Sequence, residues 1–139
     1  MTDERQRLGR RAEAKALAHL EDAGLTLVTR NWKAAPRPGF GGHGGELDLV
    51  MRDGEVLVFV EVRATSPRRG AASTTSAGFG GGAAYSVGRA KQQRLAALAQ
   101  LFLYGHQPKP RAIRFDVVAL TRNGFLGWDL RWYRNAFSV

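Results

Sequence analysis

The chain has 139 residues, 44% of them hydrophobic, and no cysteine. The chain is long enough for one domain with one core. The absence of cysteine excludes disulfides, thiolate metal sites and a cysteine nucleophile. No apolar run approaches the roughly 20 residues of a membrane-spanning helix, and residues 1–20 are too charged for a secretory signal peptide. We therefore expect a cytoplasmic protein with no membrane contact.

The net charge of +9 is unevenly distributed along the chain. Residues 1–61 have a net charge of −1, and residues 62–139 have a net charge of +10. A basic half joined to a half that carries most of the acids favours a polyanionic partner, and nucleic acid is the leading candidate. The alternative is an arginine-rich surface that only meets solvent.

Hydrophobic periodicity and turn residues predict an α/β domain with one mixed sheet of about five strands flanked by helices. Two glycine-rich segments, at about 34–45 and 65–85, are expected to be flexible loops within this single domain of residues 1–139. In chain order the pattern predicts a helix at 3–23, a strand at 25–30, a hairpin at 46–63, a helix at 87–104, a strand at 111–121 and a strand at 125–133.

The hairpin at 46–63 concentrates charged residues on two neighbouring strands. If Asp53-Gly54 form its two-residue turn, Glu46 lies directly opposite Glu61 and Asp48 lies on the diagonal. Side chains alternate along a strand, so these three acids share one face with Arg63. Opposed carboxylates destabilise a strand pair unless a cation lies between them, and a divalent metal ion would suit.

The residue types of this hairpin are those that metal-dependent phosphodiester cleavage needs. Carboxylates such as Asp48 and Glu61 bind Mg²⁺ through oxygen, and the ion can activate a water molecule. A cation such as Arg63 can stabilise the developing negative charge. The second strand is otherwise apolar on both faces, so a purely structural role for Glu61 would require a buried partner.

Charged residues on the two helices have both a structural and a functional interpretation. Glu13 points along the buried side of the first helix, either as a boundary acid or as part of the site. Lys91 projects from the apolar side of the second helix, either towards the site or into solvent. Asp116 is interpreted as a structural partner of Arg131.

Other candidates carry less functional signal. His43 stands alone in a glycine loop without a second histidine nearby, so it is weak evidence for a metal site. Trp128, Trp132 and Phe137 could stack on bases, but aromatic residues at such strand positions more often pack in a core.

Asp48 followed by Glu61-Val62-Arg63 resembles the PD-(D/E)XK motif of restriction-endonuclease-like nucleases. The wider sequence is similar to the YraN-like family of small bacterial proteins, which are expected to be nucleases. The similarity covers nearly the whole chain and is carried by Glu13, Asn31, Gly45–Leu49, Phe59–Arg63, Gly82–Ala84, Ser86-Val87, Lys91-Gln92, Arg114–Val118 and Asn135–Phe137.

The resemblance implies a restriction-endonuclease-like fold and a role for each matched residue. Asp48 and Glu61 would bind Mg²⁺ or Mn²⁺, and Glu13 would be the additional helix carboxylate of the Holliday-junction resolvase branch. Arg63 takes the position of the motif's lysine, and Lys91 would approach the same pocket. Because arginine cannot readily deprotonate, phosphate binding is a firmer expectation for Arg63 than base catalysis.

Two functions remain open from the sequence. The first is a metal-dependent endonuclease that cleaves DNA phosphodiester bonds, in branched or structured DNA, and by analogy with resolvases acts as a homodimer. The alternative is a non-catalytic nucleic-acid-binding module on the same fold. A protein-interaction domain has little support from the residues.

Overall fold

The computed structural model describes residues 2–36, 45–65, 87–124 and 127–138. Most of the two predicted flexible loops, and with them His43, lies outside the described residues. The elements in chain order are helix α1 (Thr2–Asp22), strands β1 (Thr26–Lys33), β2 (Glu46–Asp53) and β3 (Val56–Thr65), helix α2 (Arg89–Tyr104), and strands β4 (Ala112–Asn123) and β5 (Gly127–Phe137).

The five strands form one mixed sheet in the order β1-β2-β3-β4-β5. Neighbouring strands are antiparallel except for β3 and β4, which are parallel and are connected through α2. The predicted five-stranded mixed sheet with flanking helices is confirmed, and this arrangement is consistent with a restriction-endonuclease-like fold. None of the helices in the described ranges is long and apolar enough to span a membrane.

Each face of the sheet is covered by one helix. On one face α1 contributes three fully buried residues at helical spacing, which are Ala12, Ala16 and Leu20. On the other face α2 contributes Leu95, Leu98 and Ala99. Strand β3 supplies side chains to both clusters, as expected for a central strand with few polar residues.

Helix α2 begins and ends close to the predicted positions. Its N-cap is Gly88, which makes no side-chain hydrogen bond, and Gly105 is its C-cap. The predicted N-cap, Ser86, lies outside the described residues. Leu95 and Leu98 pack inward as the periodicity predicted, and this orientation turns Lys91 towards the sheet.

Strand β1 continues three residues beyond its predicted end. Asn31, expected to begin a loop, lies within the strand with a φ of 52°. Asparagine tolerates this left-handed conformation better than most residues, so the strand can continue through a local distortion. The last strand, β5, is described over Gly127–Phe137 and extends four residues beyond its predicted end. The predicted start at residue 125 lies outside the described residues.

The predicted register of the β2–β3 hairpin is wrong by one residue on each strand. Asp53 pairs with Val56, so Gly54 and Glu55 form the turn. The Asp53 carboxylate accepts a hydrogen bond from Arg114 at 3.1 Å, which favours its place within the strand. The ladder runs from Asp53 with Val56 to Leu49 with Val60, and beyond it the Asp48 carboxylate accepts a hydrogen bond from the N–H of Val62, the residue after Glu61.

The predicted placement of Arg131 opposite Asp116 is also wrong, because Arg131 pairs in the ladder with Ala119. Asp116 is fully buried and accepts two hydrogen bonds from Arg114, at 2.9 and 3.0 Å. It accepts two more at 2.9 Å, from the Trp132 indole and the Asn135 backbone N–H. Every lone pair of this buried carboxylate therefore has a donor, so its role is structural.

The aromatic residues near the C-terminus pack against the sheet. Phe137 stacks on Phe115 with ring centroids 4.9 Å apart. Trp128 and Trp132 are half-buried against the α1 side of the sheet. Their packing agrees with the structural interpretation of the sequence.

Candidate metal centre

Strand β2 changes its facing pattern at Asp48. Leu47 packs in the cluster under α2, whereas Leu49 packs in the cluster under α1. In a regular strand, residues two apart share one face, so the alternation breaks between them. Asn31, with its positive φ, lies at the corresponding position of β1, between the pairs formed by Arg30 with Leu49 and by Trp32 with Leu47.

The start of β2 is positioned closely against α2. Gly45 precedes the strand with a φ of 82°, and a Cβ atom there would lie 3.0 Å from Leu98 Cδ1. A larger residue would therefore be strained in its backbone and crowded against the helix. This contact places the first residues of β2 where α1 and α2 both approach the sheet.

The Asp48 carboxylate reaches from β2 to the backbone of β3. Its Oδ2 accepts a hydrogen bond of 2.9 Å from the Val62 N–H. Burial raises the pKa of Asp48 to about 7, and the Glu61 carboxylate adds to this effect. The carboxylates of Glu13 and Glu46 raise it further, while the hydrogen bond from Val62 opposes the change. Asp48 thus lies in a field of negative charge that favours its proton or another cation.

One amide group connects the carboxylates of α1 and β2. Asn31 Nδ2 donates to Glu13 Oε1 at 3.0 Å and to Glu46 Oε2 at 2.8 Å. The residues come from three separate elements, so this bridge fixes Glu13 of the helix beside Glu46 of the strand. The predicted single face of four charged hairpin residues is wrong for Glu46, which joins the α1 side.

Three carboxylate groups meet at this point. One oxygen each of Glu13, Glu46 and Asp48 lies within 4.8 Å of the others. Octahedral Mg²⁺ at about 2.1 Å from its ligands would separate adjacent oxygens by roughly 3.0 Å and opposite oxygens by roughly 4.2 Å. The oxygens can reach these distances through small side-chain movements, and hard oxygen donors are the type that Mg²⁺ and Mn²⁺ prefer. The donor set therefore fits such an ion.

Glu61 and Lys91 form an ion pair beside this cluster. Lys91 Nζ lies 3.2 Å from Glu61 Oε2, and the Glu61 side chain is only 10% exposed. Glu61 is outside the three-carboxylate group but near enough to raise the pKa of Asp48. Lys91 thus reaches the site, as the sequence suggested, and it supplies the partner that the buried Glu61 requires.

Two of the three predicted metal ligands, Glu13 and Asp48, lie together in the carboxylate cluster. Glu46 occupies the third position there, which the sequence analysis assigned to Glu61. Arg63 lies half-buried on β3, two residues beyond Glu61 and in register with Ala119.

The bridging role of Asn31 was missed by the sequence analysis. An asparagine directly after a strand pattern, among the residues that carry the family resemblance, was the available signal. Only the fold shows that its amide meets carboxylates 15 and 18 residues away.

Comparison with known proteins finds relatives that carry the same family name. A UPF0102 protein of Stutzerimonas stutzeri is 49% identical over 136 residues, which cover 97% of this chain and 98% of the relative. UPF0102 proteins of Ralstonia nicotianae and Bordetella avium are each 44% identical, covering 94% and 98% of this chain and 86% and 78% of the relatives. Residues 12–120 match the profile described as "Uncharacterised protein family UPF0102". The chain therefore belongs to the bacterial UPF0102 family, in agreement with its YraN-like resemblance.

Proposed function

We propose that this protein is a divalent-metal-dependent endonuclease that cleaves DNA phosphodiester bonds. The observation that carries the proposal is the convergence of Glu13, Glu46 and Asp48, whose oxygens lie within 4.8 Å of one another. Burial, and after it the neighbouring carboxylates, raise the pKa of Asp48, which supports a place for a cation beside this group. The resemblance to PD-(D/E)XK nucleases supplies the reaction class.

In this proposal the three clustered carboxylates hold Mg²⁺ or Mn²⁺. The bound ion would supply Lewis-acid chemistry, polarising a phosphoryl oxygen and lowering the pKa of a water molecule. The Val62 N–H fixes the orientation of Asp48, and Asn31 fixes Glu13 against Glu46.

The cations beside the cluster would act on the phosphate and on Glu61. Arg63 keeps its charge at any working pH, so it would bind a phosphate oxygen rather than accept a proton. Lys91 holds Glu61 in the metal-free state, and release of that ion pair would let Glu61 become a further ligand.

The ion pair of Lys91 with Glu61 also favours a second candidate, a nucleic-acid-binding module without catalysis on the same fold. If the ion pair persists, one motif carboxylate stays neutralised by a lysine 3.2 Å away. The replacement of the motif lysine by Arg63 points in the same direction, since it removes a titratable base.

From the family resemblance we further propose a cytoplasmic homodimer that acts on branched or structured DNA. A four-way junction has two strands to cut, so a two-fold symmetric pair of sites would suit it. Comparison of a junction with its linear arms, together with the mass of the protein in solution, tests this part separately.

The test is a cleavage assay with the full chain on duplex, single-stranded and four-way-junction DNA, in Mg²⁺ or Mn²⁺. We expect cleavage that EDTA and Asp48→Asn abolish. Asp129→Asn removes one exposed acid on β5 and serves as the matched control, which should cleave normally. DNA binding without cleavage of any substrate would reject the nuclease and favour the binding module.

A further inference from the structure

An open cleft lined by arginines lies between the first turns of α1 and the end of β4. Its volume is about 440 Å³, and four of its six lining side chains are arginines. The lining residues are Glu4, Arg5, Arg7, Leu8, Arg11 and Arg122. With only Glu4 to offset four guanidinium groups, the cleft is strongly positive. Its lining residues belong neither to the carboxylate cluster nor to the buried core.

The sequence brings these arginines together from two distant segments. Arg7 and Arg11 are four residues apart and therefore lie one above the other on α1. Arg122, near the end of β4, is placed opposite Trp128 of β5, and its guanidinium lies 5.9 Å from the centre of that ring. Among the residues that the structure describes, no carboxylate lies within ion-pair distance of these arginines.

The cleft opens at the same end of the sheet as the carboxylate cluster. Strand β2 begins there, and β3 and β4 end there. Asp48 contacts β3 at the Val62 N–H, and the neighbouring Glu61 pairs with Val117, so Arg122 lies two strands across from Asp48 and about five residues further along. With strands about 4.8 Å apart and a rise of about 3.3 Å per residue, Asp48 and Arg122 are separated by roughly 20 Å.

We propose that this arginine cleft binds backbone phosphates of a polynucleotide whose scissile bond lies at the carboxylate cluster. The inference rests on the proposed function and adds a second binding place and a minimum substrate length to it. At about 3.4 Å of rise per nucleotide of one strand, a separation of roughly 20 Å corresponds to about six nucleotides. The substrate is therefore a polynucleotide that spans both places, rather than a mononucleotide or a dinucleotide.

The chemistry of the cleft selects phosphates. Guanidinium groups bind phosphate oxygens in a fork with two parallel hydrogen bonds, and they stay charged at any working pH. The four groups occur in a wide, open cleft rather than in an enclosed pocket, and such a shape suits a continuous backbone. Arg122 is oriented by an aromatic ring, which reduces the freedom that binding would have to remove.

The test measures binding of a fluorescein-labelled 20-base-pair DNA duplex by anisotropy, in EDTA so that no cleavage occurs. The test variant is Arg7→Gln/Arg11→Gln. The matched control, Arg52→Gln/Arg111→Gln, removes the same charge from exposed residues at the opposite end of the sheet, near the Gly54-Glu55 turn. Circular dichroism confirms that each variant is folded.

We expect the test variant to lose roughly tenfold or more in affinity at 50 mM salt. The number of counterions released on binding, measured from the salt dependence of the affinity, should fall by nearly two. The control should lose less than threefold. Arg7→Lys/Arg11→Lys should keep the salt dependence, because it keeps both charges. In the wild type, affinity should rise steeply as single strands are lengthened from four to ten nucleotides.

Equal losses in the test and control variants would overturn the inference, and so would a wild-type protein that does not bind the duplex. Binding is measured without metal, so it is independent of cleavage. If the protein binds DNA through the cleft but never cleaves it, the nuclease proposal is rejected and this inference is supported. If Arg7→Gln/Arg11→Gln cleaves DNA as the wild type does, the nuclease proposal is supported and the cleft inference is rejected.

Discussion

Replacement of Asp48 by asparagine should stabilise the metal-free protein at alkaline pH. The pKa of Asp48 is about 7 in the folded protein, against 3.8 as the reference value. The folded state therefore holds its proton more tightly, and the free energy of unfolding falls as pH rises from about 4 to about 7. At about 1.4 kcal/mol for each tenfold change in the protonation equilibrium, this ionisation costs the wild type roughly 4 kcal/mol above pH 7.

Asparagine avoids this cost because its amide is neutral. Its carbonyl oxygen can still accept the hydrogen bond that Val62 donates to Asp48. We expect Asp48→Asn to raise the free energy of unfolding by roughly 2–4 kcal/mol at pH 8 and by less than about 1 kcal/mol at pH 4.

Urea denaturation followed by circular dichroism, in EDTA at pH 4, 6 and 8, measures this difference. Asp129→Asn, at an exposed position of β5, is the control and should change stability by less than about 0.5 kcal/mol at each pH. A neutral or destabilising effect of Asp48→Asn at pH 8 would refute the claim that burial and neighbouring carboxylates disfavour the charge of Asp48.

Three further predictions concern metal binding and the buried charges. Mn²⁺ should raise the free energy of unfolding of the wild type more at pH 8 than at pH 5.5, because binding must expel the proton of Asp48; equal effects would contradict this. Lys91→Gln should raise Mn²⁺ affinity roughly fivefold in calorimetry, since it removes a competing cation from Glu61, and a loss of affinity would count against competition. Asp116→Ala should lower the free energy of unfolding by about 3–5 kcal/mol in urea titrations, because Arg114 loses its buried partner, and a loss below about 1 kcal/mol would contradict the structural role.

The central part of the fold could be predicted from the sequence because its signals are local. Alternating apolar residues, a glycine turn and an apolar stripe defined the hairpin and both helices. The apolar character of Val56–Val62 on both faces, apart from Glu61, correctly predicted a central strand. These features depend on neighbours within a few residues, which the sequence displays directly.

The two errors have different causes. Asp53 remained in its strand beside Arg114, a residue 61 positions away, and this contact becomes visible only when β4 is placed beside the hairpin. Arg131, predicted to lie opposite Asp116, pairs with Ala119 instead. The observed partner of Asp116 is Arg114, two residues away on the same strand, and residues two apart share a face, so this signal was present in the sequence.

The candidate site was predicted in composition more than in geometry. The prediction that Asp48 and Glu61 share one face with Glu46 assumed that side chains alternate regularly between the two faces throughout the hairpin. The break in alternation at Asp48, with Asn31 distorted opposite it, instead directs Glu46 towards Glu13. A strand distortion of this kind has no clear signature in a single sequence.

The most direct test of the metal centre is a crystal structure of the protein soaked in Mn²⁺ at pH 8, with anomalous diffraction at the manganese edge. We expect one strong anomalous peak coordinated by oxygens of Glu13, Glu46 and Asp48. An absent peak at a high Mn²⁺ concentration, or a peak that these carboxylates do not coordinate, would contradict it.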